Sequence, residues 1–302
     1  MKKVFIIREG ALGDLILTFP VFFNFKKNGY KVFVGGKEIY KNFVEKYGFV
    51  DEFIPLDSSK YIFFFEKNSP ELKEFLKNFE LIISYTEENK IIGENLKRNF
   101  SKTIFFHPFR KENLSIHITD YLLEPVKKIL KKNLYLSVNL NLKNEGEFFV
   151  VHPGSGSKFK NWDKENYLQL CKKLKNVKIL LGPAENYDLK FWKENFKGEI
   201  IFSPSFDEII EIAKRTIAYI GNDSGITHLF SITGIKTISI FGPTSPFIWG
   251  PRGENVKIVY KNVGCNPCSY EKMKSCTERK CLNFIKIDDI LPLLENGKTG
   301  YI

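Results

Sequence analysis

Short apolar runs alternate with helix-spaced segments along most of the chain. Lys3–Ile7 is an apolar run of strand length, and Asp14–Lys27 after it has helical spacing. Lys31–Val34 reads as a second strand, followed by a helix over Glu38–Tyr47. Leu81–Ser84 and Thr103–Phe106 are further short strands, and Ser115–Leu130 is helix-spaced. Around Asn141–Glu147 the pattern breaks into polar residues with Gly146, which marks a linker. A second series opens with strand Phe148–His152. It continues with helix Lys164–Leu174, strand Val177–Leu181, helix Tyr187–Glu194, strand Glu199–Phe202 and helix Phe206–Arg215. Strand Ala218–Gly221, helix Gly225–Ile232, strand Lys236–Phe241 and a last helix Ile290–Glu295, which Asp288 could cap, complete it.

Unbroken apolar strands alternating with helices indicate parallel sheets covered on both faces. The expectation is an α/β protein with two Rossmann-like, doubly wound domains, residues 1–145 and 146–302, facing a central cleft. Ligands of such sheets bind at the carboxyl ends of the strands. A length of 302 residues suits two domains of this kind.

Composition narrows the class. Hydrophobic residues make up 43% and aromatic residues 15%, enough to build cores rather than a disordered chain. The net charge of +11 admits an anionic partner, but Lys and Arg exceed Asp and Glu in both halves and form no long run. A basic tail for nucleic acid is therefore absent, and no nucleic-acid partner is expected. The longest uncharged stretch near the start, Leu15–Phe25, contains Pro20 and falls short of the roughly 20 residues that span a bilayer. The chain reads as soluble, or peripheral to a membrane. The mixed Phe/Lys stretches Phe22–Lys27 and Phe105–Lys111 are either ordinary core with surface lysines or a peripheral contact with anionic membrane.

Three loops fall where ligands bind. The first, after strand one, contains Gly10, Gly13 and Asp14. Asp14 is either a helix cap or, if a substrate hydroxyl comes within reach, a general base. The second, His152-Pro153-Gly154-Ser155-Gly156-Ser157, offers free backbone N–H groups to an anion, with Lys160 as a nearby point charge. The third, Gly221-Asn222-Asp223-Ser224-Gly225, opens a helix that places His228 one turn below Ser224. The turn Phe241-Gly242-Pro243-Thr244 follows at the end of the next strand.

Together these loops resemble the ADP-heptose:lipopolysaccharide heptosyltransferases, glycosyltransferase family nine. The resemblance rests on GALGDLILTFP, HPGSGSKFKNW, GPAE and above all GNDSGITHLFSITGIKTISIFGPTSP, in that order, with IHITDYLLEP similar to an interdomain helix. It implies a GT-B fold and inverting transfer of a sugar, heptose from ADP-heptose by family majority, onto a lipopolysaccharide core or related lipid-linked glycan. It implies Asp14 as the base, with Gly10 and Gly13 in the acceptor-side loop. It implies donor contacts from Gly154, Ser155, Gly156, Lys160, Asp223, Ser224, Gly225 and His228, and Glu185 beside the nucleotide ribose. The nucleotide sugar would bind the C-terminal domain and the acceptor the N-terminal one, in a cytoplasmic enzyme at the inner face of the membrane. No cofactor is expected. No Asp-x-Asp triplet occurs, which fits metal-independent transfer. The adjacent Asp288 and Asp289 read as a helix cap. Two rivals stand beside this reading, a sugar-nucleotide epimerase with a GT-B-like fold and a non-catalytic nucleotide-binding module.

Four of five cysteines crowd into Cys265, Cys268, Cys276 and Cys281. The first pair has the spacing of a zinc knuckle. The cluster is expected either as a structural metal or disulfide staple outside the active site, or as reduced packing thiols.

Overall fold

The computed structural model describes residues 1–107 and 115–295. The chain divides into two compact units, Met1–Val138 and Asn139–Ile302. Each is built on one wholly parallel sheet. Among the described residues no helix is long and apolar enough to cross a membrane.

The first unit runs β1 (Lys3–Ile7), α1 (Leu12–Lys27), β2 (Lys31–Gly36), α2 (Lys41–Lys46), β3 (Glu52–Pro55), α3 (Pro70–Leu76), β4 (Leu81–Ser84), α4 (Ile91–Asn99), β5 (Thr103–Phe105), α5 (Ile118–Leu122) and α6 (Glu124–Leu130). Its strand order is β3-β2-β1-β4-β5. β1 is central, and Val4 to Ile7 are fully buried, as a strand covered on both faces demands. The order reverses between β1 and β4. The switch point of the sheet therefore opens at the carboxyl end of β1, beside the loop that carries Asp14.

Phenylalanine fills this unit. Phe5 meets Phe75 and Phe79 at ring-centroid distances of 5.4 and 5.2 Å, and Phe19 stacks on Phe49 at 4.0 Å. Helix α1 is buried over most of its length. Phe22 and Phe25 are completely buried, and Phe23 packs edge-on against Tyr135 at 5.1 Å. Most of the Phe22–Lys27 stretch is thus core, with two flanking lysines. In the second such stretch Phe105 is half-buried and Phe106 packs on Tyr121 at 4.6 Å; residues 108–111 lie outside the described residues.

The second unit runs β6 (Phe148–His152), α7 (Lys164–Lys173), β7 (Val177–Leu181), α8 (Leu189–Asn195), β8 (Glu199–Phe202), α9 (Phe206–Lys214), β9 (Thr216–Asn222), α10 (Gly225–Ser231), β10 (Lys236–Phe241), α11 (Pro246–Trp249), β11 (Val256–Tyr260), α12 (Tyr270–Ser275), α13 (Lys280–Asn283) and α14 (Leu291–Leu294). Its order, β11-β10-β9-β6-β7-β8, reverses between β6 and β9. The loops after β6 and β9 are therefore neighbours at the second switch point.

Several sequence expectations need correction. The helix-spaced segment Ser115–Leu130 resolves into two helices, α5 and α6, with Pro125 in the first turn of the second, where its missing N–H has no helical partner to lose. The helix expected over Glu38–Tyr47 is a 3₁₀ turn, Glu38–Tyr40, followed by α2. The last helix is α14. Asp288 does not cap it: the N-cap position is Ile290, with no side-chain bond, and Asp289 instead accepts the Lys286 N–H at 2.8 Å across the preceding 3₁₀ turn.

Candidate active site

At the first switch point, α1 begins at Leu12, and Asp14 is its third residue. The carboxylate folds back so that Oδ2 accepts the Ala11 N–H at 3.0 Å. A Cβ on Gly10 would lie 2.9 Å from Asp14 Cβ, so that glycine allows the close turn. The other oxygen, Oδ1, meets an Arg8 guanidinium nitrogen at 3.2 Å. Arg8 is 3% exposed. Its Nε donates to Thr18 Oγ1 at 3.1 Å and to the Asp14 carbonyl at 3.3 Å. Burial pulls the Arg8 pKa down, against the opposing pull of Asp14 and Tyr85. Burial and the same Asp14 charge push the Tyr40 phenol up. Asp14 is thus a cap and more than a cap. It is a part-exposed carboxylate locked by a buried cation, and each oxygen keeps a lone pair for a further donor.

At the second switch point the sequence folds three loops around one asparagine. Asn222, at the end of β9, has no exposure. Its amide donates to the carbonyls of Pro153 and Gly154 at 2.8 and 3.2 Å, while its Oδ1 accepts from Trp162 N and Tyr167 OH, both at 2.9 Å. A fully satisfied buried amide of this kind sets the spacing of the β6 loop, the Lys160–Trp162 turn and the β9 loop. Ser155 stiffens the turn further, donating to Asn161 Oδ1 at 2.6 Å and accepting the Ser157 N–H at 3.2 Å.

Within this frame Lys160 Nζ lies 3.1 Å from Asp223 Oδ2. Thr244, from the turn after β10, donates to the same oxygen at 2.8 Å. Asp223 is nearly buried, so it orients the lysine rather than presenting its own charge to an anion. Ser224 caps α10 by accepting the Thr227 N–H at 3.2 Å, and Gly225 begins that helix. His228 is buried within α10, at 5% exposure.

Glu185 lies in the loop after β7 and is 4% exposed. Its Oε2 accepts the Gly182 N–H at 2.7 Å and stands 3.7 Å from His152 Nε2. His152 Nδ1 in turn lies 3.3 Å from the Tyr219 hydroxyl and 3.5 Å from Ser224 Oγ. Burial pushes the Glu185 carboxyl up, but His152 and the backbone N–H groups outweigh it and leave the group below its ordinary value. The depressed carboxyl stabilises the fold above the ordinary carboxyl value of 4.5, and that contribution is lost as pH falls through the folded value. Glu185→Gln is therefore expected to lower stability at pH 7 and to flatten its acid dependence, as read by urea unfolding at pH 7 and pH 4.

Glu185 also explains Gly154. A Cβ there would sit 2.1 Å from the Glu185 carboxyl carbon. Gly154→Ala is expected to cost about 1–3 kcal/mol of unfolding free energy by overpacking, measured by denaturant titration. A Cβ at Gly156 would meet nothing, so its small size is not required by packing.

The structure brings Lys160 and Asp223 into direct contact and sets Glu185 against Gly154. It links Ser224 to Glu185 through His152, and keeps Asp14 and Gly10 in the other unit. Arg8, His152, Tyr219 and Asn222 support these residues; His152 and Asn222 lay in the loops named from the sequence but were given no role there, and Arg8 and Tyr219 were not singled out. A charged or amide side chain at the last residues of a buried apolar strand was the available signal for Arg8 and Asn222.

Cys265, Cys268, Cys276 and Cys281 are free thiols. They are near enough that the others raise the pKa of Cys281, after burial as the main cause. Among the described residues no three His, Cys, Asp or Glu side chains stand in metal-holding geometry.

Comparison with known proteins agrees with this architecture. The profile of glycosyltransferase family 9 (heptosyltransferase) matches residues 113–280. Lipopolysaccharide heptosyltransferase 1 of Campylobacter coli is 25% identical over 81% of this chain and 85% of its own. The crystal structure of a family 9 glycosyltransferase from Veillonella parvula superposes with a TM-score of 0.73 at 17% identity, covering 97% of each chain. The heptosyltransferase WaaC of E. coli, solved with ADP, superposes with a TM-score of 0.61 at 17% identity, covering 85% of this chain and 92% of that one. With a profile match over more than half its length and two parallel α/β units of the GT-B type, the chain belongs to glycosyltransferase family 9, the heptosyltransferases.

Proposed function

We propose that the protein transfers heptose from ADP-heptose to a lipopolysaccharide core or related lipid-linked glycan, with inversion at the anomeric carbon and without a metal. The observation that carries this reading is Lys160, held at the switch point of the second sheet by Asp223, whose same oxygen accepts the Thr244 hydroxyl. A cation fixed there meets the charge that develops on a departing diphosphate. Its support is the family match, together with a relative solved with ADP.

In this reading the second unit binds the donor. Lys160 faces the diphosphate, and the Gly154–Gly156 and Ser224–Gly225 backbones approach it. Glu185 accepts a ribose hydroxyl, and His228 supports the turn from within α10. The first unit binds the acceptor. Asp14 removes the proton from the acceptor hydroxyl as its oxygen attacks the anomeric carbon; the bond to ADP breaks, and ADP leaves with the electron pair. Arg8 holds the carboxylate in place through this step. A lipid-linked acceptor sets the reaction at the inner face of the inner membrane.

The test is a transfer assay with ADP-heptose, EDTA and a heptose-deficient lipopolysaccharide core, with the product analysed by mass and by the NMR coupling at the new glycosidic carbon. One added heptose of inverted configuration is expected. No transfer, or retained configuration, overturns the reading.

A further inference from the structure

The thiol-bearing segment between β11 and α14 makes direct bonds into the Lys160 turn and into the turn after β10 that carries Thr244. The Cys268 N–H donates to the Pro243 carbonyl at 2.7 Å. The Asn266 side chain, 8% exposed, donates to the Gly242 carbonyl at 2.9 Å and to the Lys261 carbonyl at 3.0 Å. Leu282 packs so closely on Gly242 that a Cβ there would lie 2.5 Å from it. Three of these contacts, those on Gly242 and Pro243, fall on the turn that ends in Thr244.

The same segment grips the other side of the site. The Arg279 guanidinium donates to the Asn161 carbonyl, the residue directly after Lys160. Arg279 holds a left-handed backbone, φ 46°, a conformation a non-glycine residue keeps only when its surroundings impose it. Among the described residues its buried Nε has no hydrogen-bond partner, so the guanidinium is directed at the Asn161 carbonyl through its terminal nitrogen. Just downstream, the Ile285 carbonyl accepts the Trp162 indole N–H at 3.2 Å.

The two gripped loops converge on one atom, since Lys160 Nζ and Thr244 Oγ1 both contact Asp223 Oδ2. We propose that residues 265–285 form a strap that sets the position of Lys160, and that Arg279 and Asn266 are positioning residues for donor binding. The strap acts from behind the site. Arg279 bonds a backbone carbonyl of the Lys160 turn, and Asn266 a carbonyl of the Thr244 turn, so their loss frees the loops without removing any group from the donor pocket. This inference rests on the donor reading of Lys160 given above.

Two readouts separate the possibilities. Amide hydrogen exchange on the full chain reports the loops whether or not nucleotide binds, and calorimetry with ADP reports the site. For Arg279→Ala and Asn266→Ala, exchange is expected to rise in Lys158–Asn161 and Gly242–Thr244 while the sheet strands keep their protection. The ADP dissociation constant is expected to rise about tenfold through misplacement of Lys160. Arg279→Lys, which keeps a donor, should recover part of both. Unchanged exchange in the two loops overturns the strap. Faster exchange with unaltered ADP affinity overturns its role in donor binding. A wild-type protein that binds no ADP removes the donor reading and this inference with it. That outcome differs from failure of the strap alone, in which wild type binds ADP and the variants match it.

Discussion

Asp14→Asn is expected to lower the transfer rate by roughly 10²- to 10⁴-fold, the range a positioned general base contributes, while ADP affinity stays at the wild-type level. The substitution suits the question because the two roles of Asp14 respond differently to it. An asparagine carbonyl oxygen still accepts the Ala11 N–H that Asp14 Oδ2 accepts at 3.0 Å, so the cap survives. A proton acceptor does not survive. The charge partner of the nearly buried Arg8 is also lost, so the variant is expected to unfold more readily, and thermal unfolding must accompany the rate. A fully folded variant that retains wild-type turnover would assign Asp14 to capping alone.

Lys160→Ala is expected to weaken both donor affinity and turnover, with kcat/KM falling by about 10²- to 10³-fold, as for loss of one group that stabilises developing negative charge. The loss should appear in kcat as well as KM, because the charge on the leaving diphosphate grows toward the transition state. The variant also leaves Asp223, whose side chain is 8% exposed, without its cation. A double-mutant cycle with Asp223→Asn separates the terms. If Asp223 acts through Lys160, the second substitution should add little to the first. Additive losses would mean that Asp223 has its own role at the donor. Lys160→Arg is not expected to restore activity, since a planar fork does not replace a compact ammonium on the same oxygen.

The chemistry-bearing loops were legible because each follows an unbroken apolar strand and is written in small residues. Gly10, Gly154 and Gly225 mark places where backbone turns or approaches, and that local signal survives in one dimension. The central strands β1, β6, β9 and β10 were legible for the same reason. Of the four edge strands, β5 and β8 were legible, but β3 and β11 were not. β3 is Glu52-Phe53-Ile54-Pro55, and β11 exposes Lys257 and Ile258, so neither forms the apolar run that identified the others. Helices α3 and α4 are short, and charged residues interrupt their apolar spacing. The helical spacing over Ser115–Leu130 was legible but not its division, which falls just before Pro125, a residue that starts a helix more readily than it continues one.

Within the site, identities were legible and partnerships were not. Lys160 and Asp223 were both named, but they lie 63 positions apart, and only the neighbouring strands β6 and β9 bring them together. Arg279 and Asn161 are separated by 118 positions. His228 was read from its spacing as sharing a face with Ser224. The structure adds that the face is buried, so the imidazole works from inside the helix packing. The cysteines showed the opposite limit. Their spacing left a local staple and reduced packing thiols both open, and gave no sign that the segment that carries them is bonded to the loops around Asp223. Contacts of that range are properties of the packed fold, not of any local pattern.

The measurement that tests the central claim most directly is calorimetric titration of the wild-type chain with ADP-heptose, ADP, UDP and GDP in the presence of EDTA, repeated with Lys160→Ala. The account predicts binding of ADP-heptose and ADP, weaker or no binding of UDP and GDP, and loss of the adenine-nucleotide signal in the variant. Preference for UDP or GDP, or an ADP affinity indifferent to Lys160, would contradict it.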